Sequence, residues 1–153
     1  MADAYTSIDT IQVTDYQGEF TLSDFADGVI AQVSAPNEIG TVTTGYNGNG
    51  LGAHNEPGRQ RVLNLRLVKA SNDDKRINET YELWKKRDSR FRPLKMKFTK
   101  NISHSDGSVT HDTTEAYFGI PGGVPETLTD TTGSVEQVVS AYTFTFADYK
   151  RII

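Results

Sequence analysis

The chain has 153 residues, 36% of them hydrophobic and 24% charged, with 16 Lys and Arg against 20 Asp and Glu for a net charge of −4. That is enough apolar material for one domain with its own core, and the whole of residues 1–153 reads as one. The absence of cysteine excludes a disulfide framework, a thiolate metal site and a thiol nucleophile. With no run of about 20 apolar residues and no basic-then-apolar leader, neither a membrane anchor nor a signal peptide is expected, and the chain can fold in a reducing cytoplasm.

The charges are segregated. Residues 1–58 hold eight acids and no Lys or Arg, residues 59–100 hold fourteen bases and five acids, and residues 101–153 return to net −5. Such a partition is either neutralised within the fold, the ordinary outcome for long charged side chains, or matched between copies in head-to-tail contacts that close into rings or run into filaments.

Taken in chain order, the first ten residues show no pattern of a core element. Ile11 to Tyr16, Val29 to Ser34 (Val29, Ala31 and Val33 on one face) and Gly40 to Thr44 read as short strands. Gly45 to Gly58 holds five glycines in fourteen residues and reads as a long inter-strand loop, of the length that is usually functional or disordered. In Arg61 to Lys69, Leu63, Leu65 and Leu67 share one face, with Asn64 and Arg66 on the other. A helix is predicted over about 72–88: Ser71 with Asp74 resembles a capping box, acids fill the first turn, Lys85, Lys86 and Arg87 the last, and Ile77, Tyr81 and Trp84 form the buried stripe. Leu94 to Lys100 alternates Leu94, Met96 and Phe98 against Lys95, Lys97 and Thr99. Asp106-Gly107 predicts a two-residue hairpin turn joining the strand that ends near Asn101 to one that begins near Thr110, and Thr113 to Ile120 reads as a further short strand. Near the C-terminus Val138, Tyr142, Phe144 and Phe146 line one face opposite Gln137, Val139, Thr143 and Thr145. The expected class is mainly β.

No pattern of chemistry emerges. The glycine-rich stretch lacks GK[ST] and is followed by Pro57 and a strand where a phosphate-binding loop needs a helix. His54, His104 and His111 have no zinc-site spacing, although His104 and His111 flank the hairpin and would be cross-strand neighbours. No GxSxG elbow is present, and Asp73-Asp74 is accounted for by a helix's first turn. Arg87, Arg90, Arg92, Lys95, Lys97 and Lys100, with Phe91 and Phe98 interleaved, have the residue types of a nucleic-acid groove, but the overall acidity opposes it. The reading is of a chain that is not an enzyme and takes no cofactor and no metal.

The order of elements resembles that of bacteriophage tail tube proteins of the contractile-tail (myovirus) type, whose fold is shared by type VI secretion tube proteins. The residues carrying it are EIGTVTTGYNGNGLGAHNEPG, then RQRVLNLRLVKAS with the helix NDDKRINETYELW behind it, and the closing YFGIPGGVPETLTDTTGSVEQVVSAYTFTFAD. The resemblance implies a β-sandwich or split barrel with one flanking α-helix, six copies joining into a hexameric ring, and stacked rings forming a virion conduit for DNA ejection. It implies that Tyr46, Asn47, Asn49, Leu51, His54, Asn55 and Glu56 contact the next ring and that residues 1–10 form an arm reaching a neighbour. Arg87, Arg90 and Arg92 would then meet Asp15, Asp24 and Asp27 across subunits. Asn64, Arg66, Gln137, Thr143 and Thr145 are candidates for a lumen past which DNA moves unbound. The implied partners are further copies of the chain, tail sheath, tape-measure and baseplate or terminator proteins. A type VI secretion tube is one alternative. A monomeric ligand-binding β-sandwich, such as a carbohydrate-binding module, is another, against which stands the placing of Trp84, the one tryptophan, on the buried helix stripe.

Overall fold

The computed structural model describes residues 4–6, 10–26, 30–123, 129, 131–134 and 138–153. Among these residues ten strands and one α-helix follow in the order β1 (Ala4–Thr6), β2 (Thr10–Asp15), β3 (Gly18–Thr21), β4 (Ala31–Ser34), β5 (Gly40–Thr44), β6 (Gly50–His54), β7 (Arg61–Val68), α1 (Asn72–Lys85), β8 (Leu94–His104), β9 (Val109–Pro121) and β10 (Val139–Ile152). The main sheet runs β3-β2-β8-β9-β10-β7-β4, with β1 also on β8, while β5 and β6 form a separate pair. Every pairing is antiparallel. The protein is mainly β, as its alternating sequence predicts. Of the expected N-terminal arm, Ala4–Thr6 adds to β8 of its own chain and Thr10 already opens β2.

Alternation sets the core. Leu63, Leu65 and Leu67 of β7, Phe144 and Phe146 of β10, and Leu94 and Met96 of β8 are all fully buried, in one cluster with Ile11 and Val13 from near the other end of the sheet. Strands at opposite ends share a core because the sheet curls, and the chain after β3 laces the ends together. Leu22 N–H donates to Ile11 O (2.9 Å) on β2, whereas Val68 N–H on β7 donates to Asp24 O (2.9 Å) and Arg66 N–H to Ile30 O (2.9 Å). The expected strand from Val29 starts at Ala31; Val29 lies outside the described residues.

A bulge in β9 changes which residues face inward. Leu94 pairs with Gly119 but Met96 with Ala116, and Phe118 between them has φ +58°. The buried positions therefore pass from Ala116 to Gly119 and Pro121, an extra residue having shifted the period of two. Glycine is required at 119, since a Cβ there would lie 2.5 Å from Phe146 Cε1. Two expectations fail at strand ends. Val139 is buried and Val138, which precedes β10, is 54% exposed. The 104–108 turn is a three-residue loop: His104 N–H bonds Ser108 O and Gly107 N–H bonds His104 O, with positive φ at Gly107 alone. That is the type I turn plus bulge, not the two-residue hairpin.

Helix α1 begins as expected, with Ser71 Oγ accepting from Asp74 N–H (3.2 Å). The reciprocal contact reaches one residue further back: Asp74 Oδ2 accepts from Ala70 N–H (2.8 Å), while its Oδ1 accepts from Tyr142 O–H (2.5 Å). Asp73 Oδ2 accepts from the N–H groups of Ser23 (2.6 Å) and Asp24 (3.0 Å). Both carboxylates are buried, at the end of the helix where the macrodipole favours an anion. The helix stops at Lys85, three residues short of the expected end. Arg87 (φ +56°) occupies the left-handed position of a Schellman cap in which Asp88 N–H bonds Leu83 O (3.0 Å) and Arg87 N–H bonds Trp84 O (3.1 Å). The buried stripe is Ile77, Thr80 and Leu83, beside Asp73 and Asp74; Tyr81 is half-buried and Trp84 is 44% exposed, tilted against Phe91. The sequence argument against an aromatic ligand platform therefore loses its basis.

Burial, then the hydrogen bond to Asp74, raises the Tyr142 phenol well above its ordinary value near 10. A raised acid keeps its full contribution to stability below the unfolded pKa and loses it as pH rises beyond that, because the unfolded chain ionises first. Tyr142→Phe should cost about 1.5–3 kcal/mol at neutral pH, from the donor withdrawn from a buried carboxylate. Denaturant unfolding measured from pH 7 upward should then fall less steeply above pH about 10 in the variant than in the parent; parallel curves would show that Tyr142 does not carry this dependence.

Candidate assembly interface

The β5–β6 hairpin stands away from the rest of the fold. All ten of its strand residues are exposed, including Val42 at 80% and Leu51 at 59%, whereas a strand on a core alternates buried and exposed. Its register pairs Thr41 with Ala53, Val42 with Gly52 and Thr43 with Leu51, which puts Thr41, Thr43, Leu51 and Ala53 on one face. Val42 is on the other with Thr44, His54, Gly40, Gly50 and Gly52, and no atom lies within 4 Å of where a Cβ would stand on Gly50 or Gly52. Val42 is thus the single aliphatic side chain on a face half made of glycine. The tip is closed by Gly45 N–H to Asn49 O (2.7 Å) and Gly48 N–H to Gly45 O (2.9 Å).

The expected loop over 45–58 is therefore a five-residue turn, a strand and a 3₁₀ turn, Glu56–Arg59. Cross-strand hydrogen bonds order its glycines, which composition alone could not reveal. Its base is rigidly held. A Cβ on buried Gly58 would lie 2.3 Å from Glu38 O and 2.4 Å from Ile39 Cα, so the backbones touch directly. Asn55 donates from N–H to Ile39 O (2.7 Å) and from Nδ2 to Glu38 O (2.8 Å). Arg59 reaches Asp148 at 3.4 Å, and the Arg61 guanidinium lies 3.8 Å over the Tyr149 ring.

All seven residues expected to contact a next ring lie on this hairpin or at its base. Tyr46, Asn47 and Asn49 form the tip and Leu51 lies on β6. His54, Asn55 and Glu56 are at the root, where His54 Nε2 is 3.0 Å from Glu56 Oε1. Sequence reasoning missed Val42 and the exposed Ile39, because a strand exposed on both faces has no signature distinguishing it from one that is covered.

The charges expected to meet across subunits fare differently. Asp15 is buried and holds Arg76 in a two-pronged pair (Nε to Oδ2 2.9 Å, Nη2 to Oδ1 3.1 Å), with that guanidinium 3.8 Å over the Phe20 ring. It is an internal ion-pair partner, unavailable to a neighbour, and it joins the acidic first segment to the basic middle one. Asp24 is half-buried with its backbone bonded to β7 and Asp73, and Asp27 lies outside the described residues. Arg90 pairs with Asp88 at 3.1 Å, holding that carboxyl below its usual range. Arg92 donates to the carbonyls of Ser89 and Phe91, and Arg87 is exposed at the helix cap. The three arginines do cluster beyond α1, but two are tethered locally.

Asn64, Arg66, Thr143 and Thr145 share the face of β7 and β10 turned from the core; Thr143 Oγ1 donates to Asn64 Oδ1 (3.1 Å), and Ala141 pairs with Arg66. Gln137 lies outside the described residues. His104 and His111 are not partners: His104 Nε2 is 3.0 Å from Thr110 Oγ1, and His111 Nδ1 is 2.5 Å from Asn101 Oδ1. Nor do the central bases form a groove with both phenylalanines, since Phe98 packs on the core, Phe91 on Trp84, and Lys95 and Lys97 share a cleft with Glu19 and Glu115. Compared with protein-family models and with curated proteins, the sequence finds no match.

Gly58→Ala should loosen the hairpin's root selectively, because only backbone atoms face the added methyl; such overpacking costs about 1–3 kcal/mol. Amide exchange should become faster at Asn55 and along β6 while β7 and β10 keep their protection. Unchanged exchange at Asn55 would show that this contact does not hold the hairpin in place.

Proposed function

We propose that this chain is a self-assembling structural subunit of the bacteriophage tail tube type, and that the β5–β6 hairpin is its contact with the next ring. The observation carrying this reading is a two-stranded hairpin with every strand residue exposed. A pair of strands without a third or a covering layer is marginally stable at best in water, so this one calls for a partner. Seating Val42 and Leu51 in such a partner would each contribute about 1.5–3 kcal/mol.

The finer architecture belongs to the same proposal. The curled sheet with laced ends and one helix supports a split barrel. Among the described residues its terminal strands β3 and β4 each pair on one side only, and edges of that kind are blunted when neighbouring copies join them. Hexameric rings stacked into a virion conduit follow from the family resemblance. The β7–β10 outer face, with Asn64, Thr143 and Thr145 and one guanidinium at Arg66, supports a lumen that lets DNA pass without holding it. A type VI secretion tube would use the same hairpin, and neighbouring genes for sheath and tape-measure proteins or for secretion components would separate the two.

Negative-stain electron microscopy with light scattering on purified protein at rising concentration tests the reading, with rings or hollow tubes expected. The double variant Val42→Asp, Leu51→Asp should abolish stacking while its melting changes little, since substitutions at exposed positions usually stay within about 0.5 kcal/mol. Normal tubes from that variant, or a parent protein monomeric at every concentration, would overturn the proposal.

A further inference from the structure

The curl of the sheet carries edge strand β4 across the face of β8 and β9, leaving a cleft of about 290 Å³ between them. Ile11, Ile30, Ala31, Val33, Phe98 and Thr114 line it. Its two charged residues, Lys100 and Asp112, have opposite signs, and Asp112 is bound by Arg151 at 2.7 Å. The lining is thus mixed, five apolar residues beside Thr99, Thr114 and one charge of each sign, and it is bordered by a strand that pairs with β7 on one side and with no strand on its other side among the described residues. An added strand would meet unpaired backbone donors and acceptors there, above a floor that includes Ile11 and Phe98.

The hairpin has the matching properties. From Ile39 to Ala53 the sequence has no charged side chain, and Val42 shares its face with Gly40, Gly50 and Gly52, where another backbone can approach, and with Thr44 and His54 towards its two ends. Neighbouring clefts suit it less: one holds Glu19, Lys95, Lys97 and Glu115, another adjoins Lys85 at the end of α1, and a third is the hairpin's own root. We propose that the β4 edge and its cleft are the seat for the hairpin of a second copy, with Val42 entering as the knob. This deepens the assembly reading above and rests on it. Because β5 follows β4 by the short link Ala35–Ile39, every docked copy carries a hairpin of its own onward, which makes the contact heterologous and repeatable.

The absence of native cysteine permits a direct test. Chains carrying Val42→Cys are mixed at high concentration with tagged chains carrying Val33→Cys, oxidised and separated without reductant, and the same sample is imaged. Both positions are exposed, so neither substitution disturbs the core. The mixed disulfide should exceed by about tenfold or more that formed between Val42→Cys and a control chain with Lys97→Cys, because docking raises the effective concentration of the two thiols. Tubes in the images with a yield no greater than the control's would overturn this seat while sparing the assembly reading. Neither tubes nor the mixed disulfide would overturn both.

Discussion

The carboxylates of Asp73 and Asp74 hold two distant stretches of chain, and the residue before the cap, at one helix terminus. Asp73 takes the N–H groups of Ser23 and Asp24, and Asp74 takes Ala70 N–H and the Tyr142 hydroxyl. The segment so captured is the one that laces β2 to β7, and the captured tyrosine sits in the middle of the core cluster. An apolar pair of similar volume would fill the space but leave these donors without acceptors, at roughly 1–3 kcal/mol for each one buried. The helix dipole and four hydrogen bonds offset the cost of burying two charges, and the curled sheet keeps its shape because the lacing segment has one place to go.

From that anchored body the hairpin projects with a stiff root and bare flanks. Gly58 against Glu38 and Ile39, and Arg61 over Tyr149, fix where it leaves the sheet. Side-chain packing is then concentrated in the body, and the blade depends on its cross-strand bonds. Such a division is usual where one part must be stable alone and another must be completed by a partner. A preset direction also lowers the ordering cost of docking, since the root residues are already fixed.

Much of the body was legible in the sequence, and the reasons are local. Leu63, Leu65 and Leu67, or Leu94 and Met96, sit on sheets wet on one side, so their alternation survives in the chain; the Ser71 cap is a pattern within four residues. What was hidden depends on tertiary partners. Arg87 in a left-handed cap shortened the helix where glycine would have announced it. Trp84 took the exposed side of the stripe because buried Thr80 and Leu83 turned the helix differently. The bulge at Phe118 gave no signal at all. At the candidate interface, glycine content marked out the exposed hairpin without revealing its strands: Gly50 and Gly52 are strand positions left bare, and composition reads them as slack. Asp15 looked like any surface acid until Arg76, sixty-one residues away, closed on it.

The hairpin would bring no charged side chain of its own to a contact. Screening at physiological salt acts over about 8 Å on exposed charges, and between Glu38 and His54 there are none to screen. Joints of this kind would hold equally in dilute water, in brine and in a cell's interior, and would tighten moderately on warming from the cold as apolar association strengthens. The segregated charges along the chain would then govern how copies first approach one another, while the strength of the finished joint would be set by a few methyl groups and a strand edge.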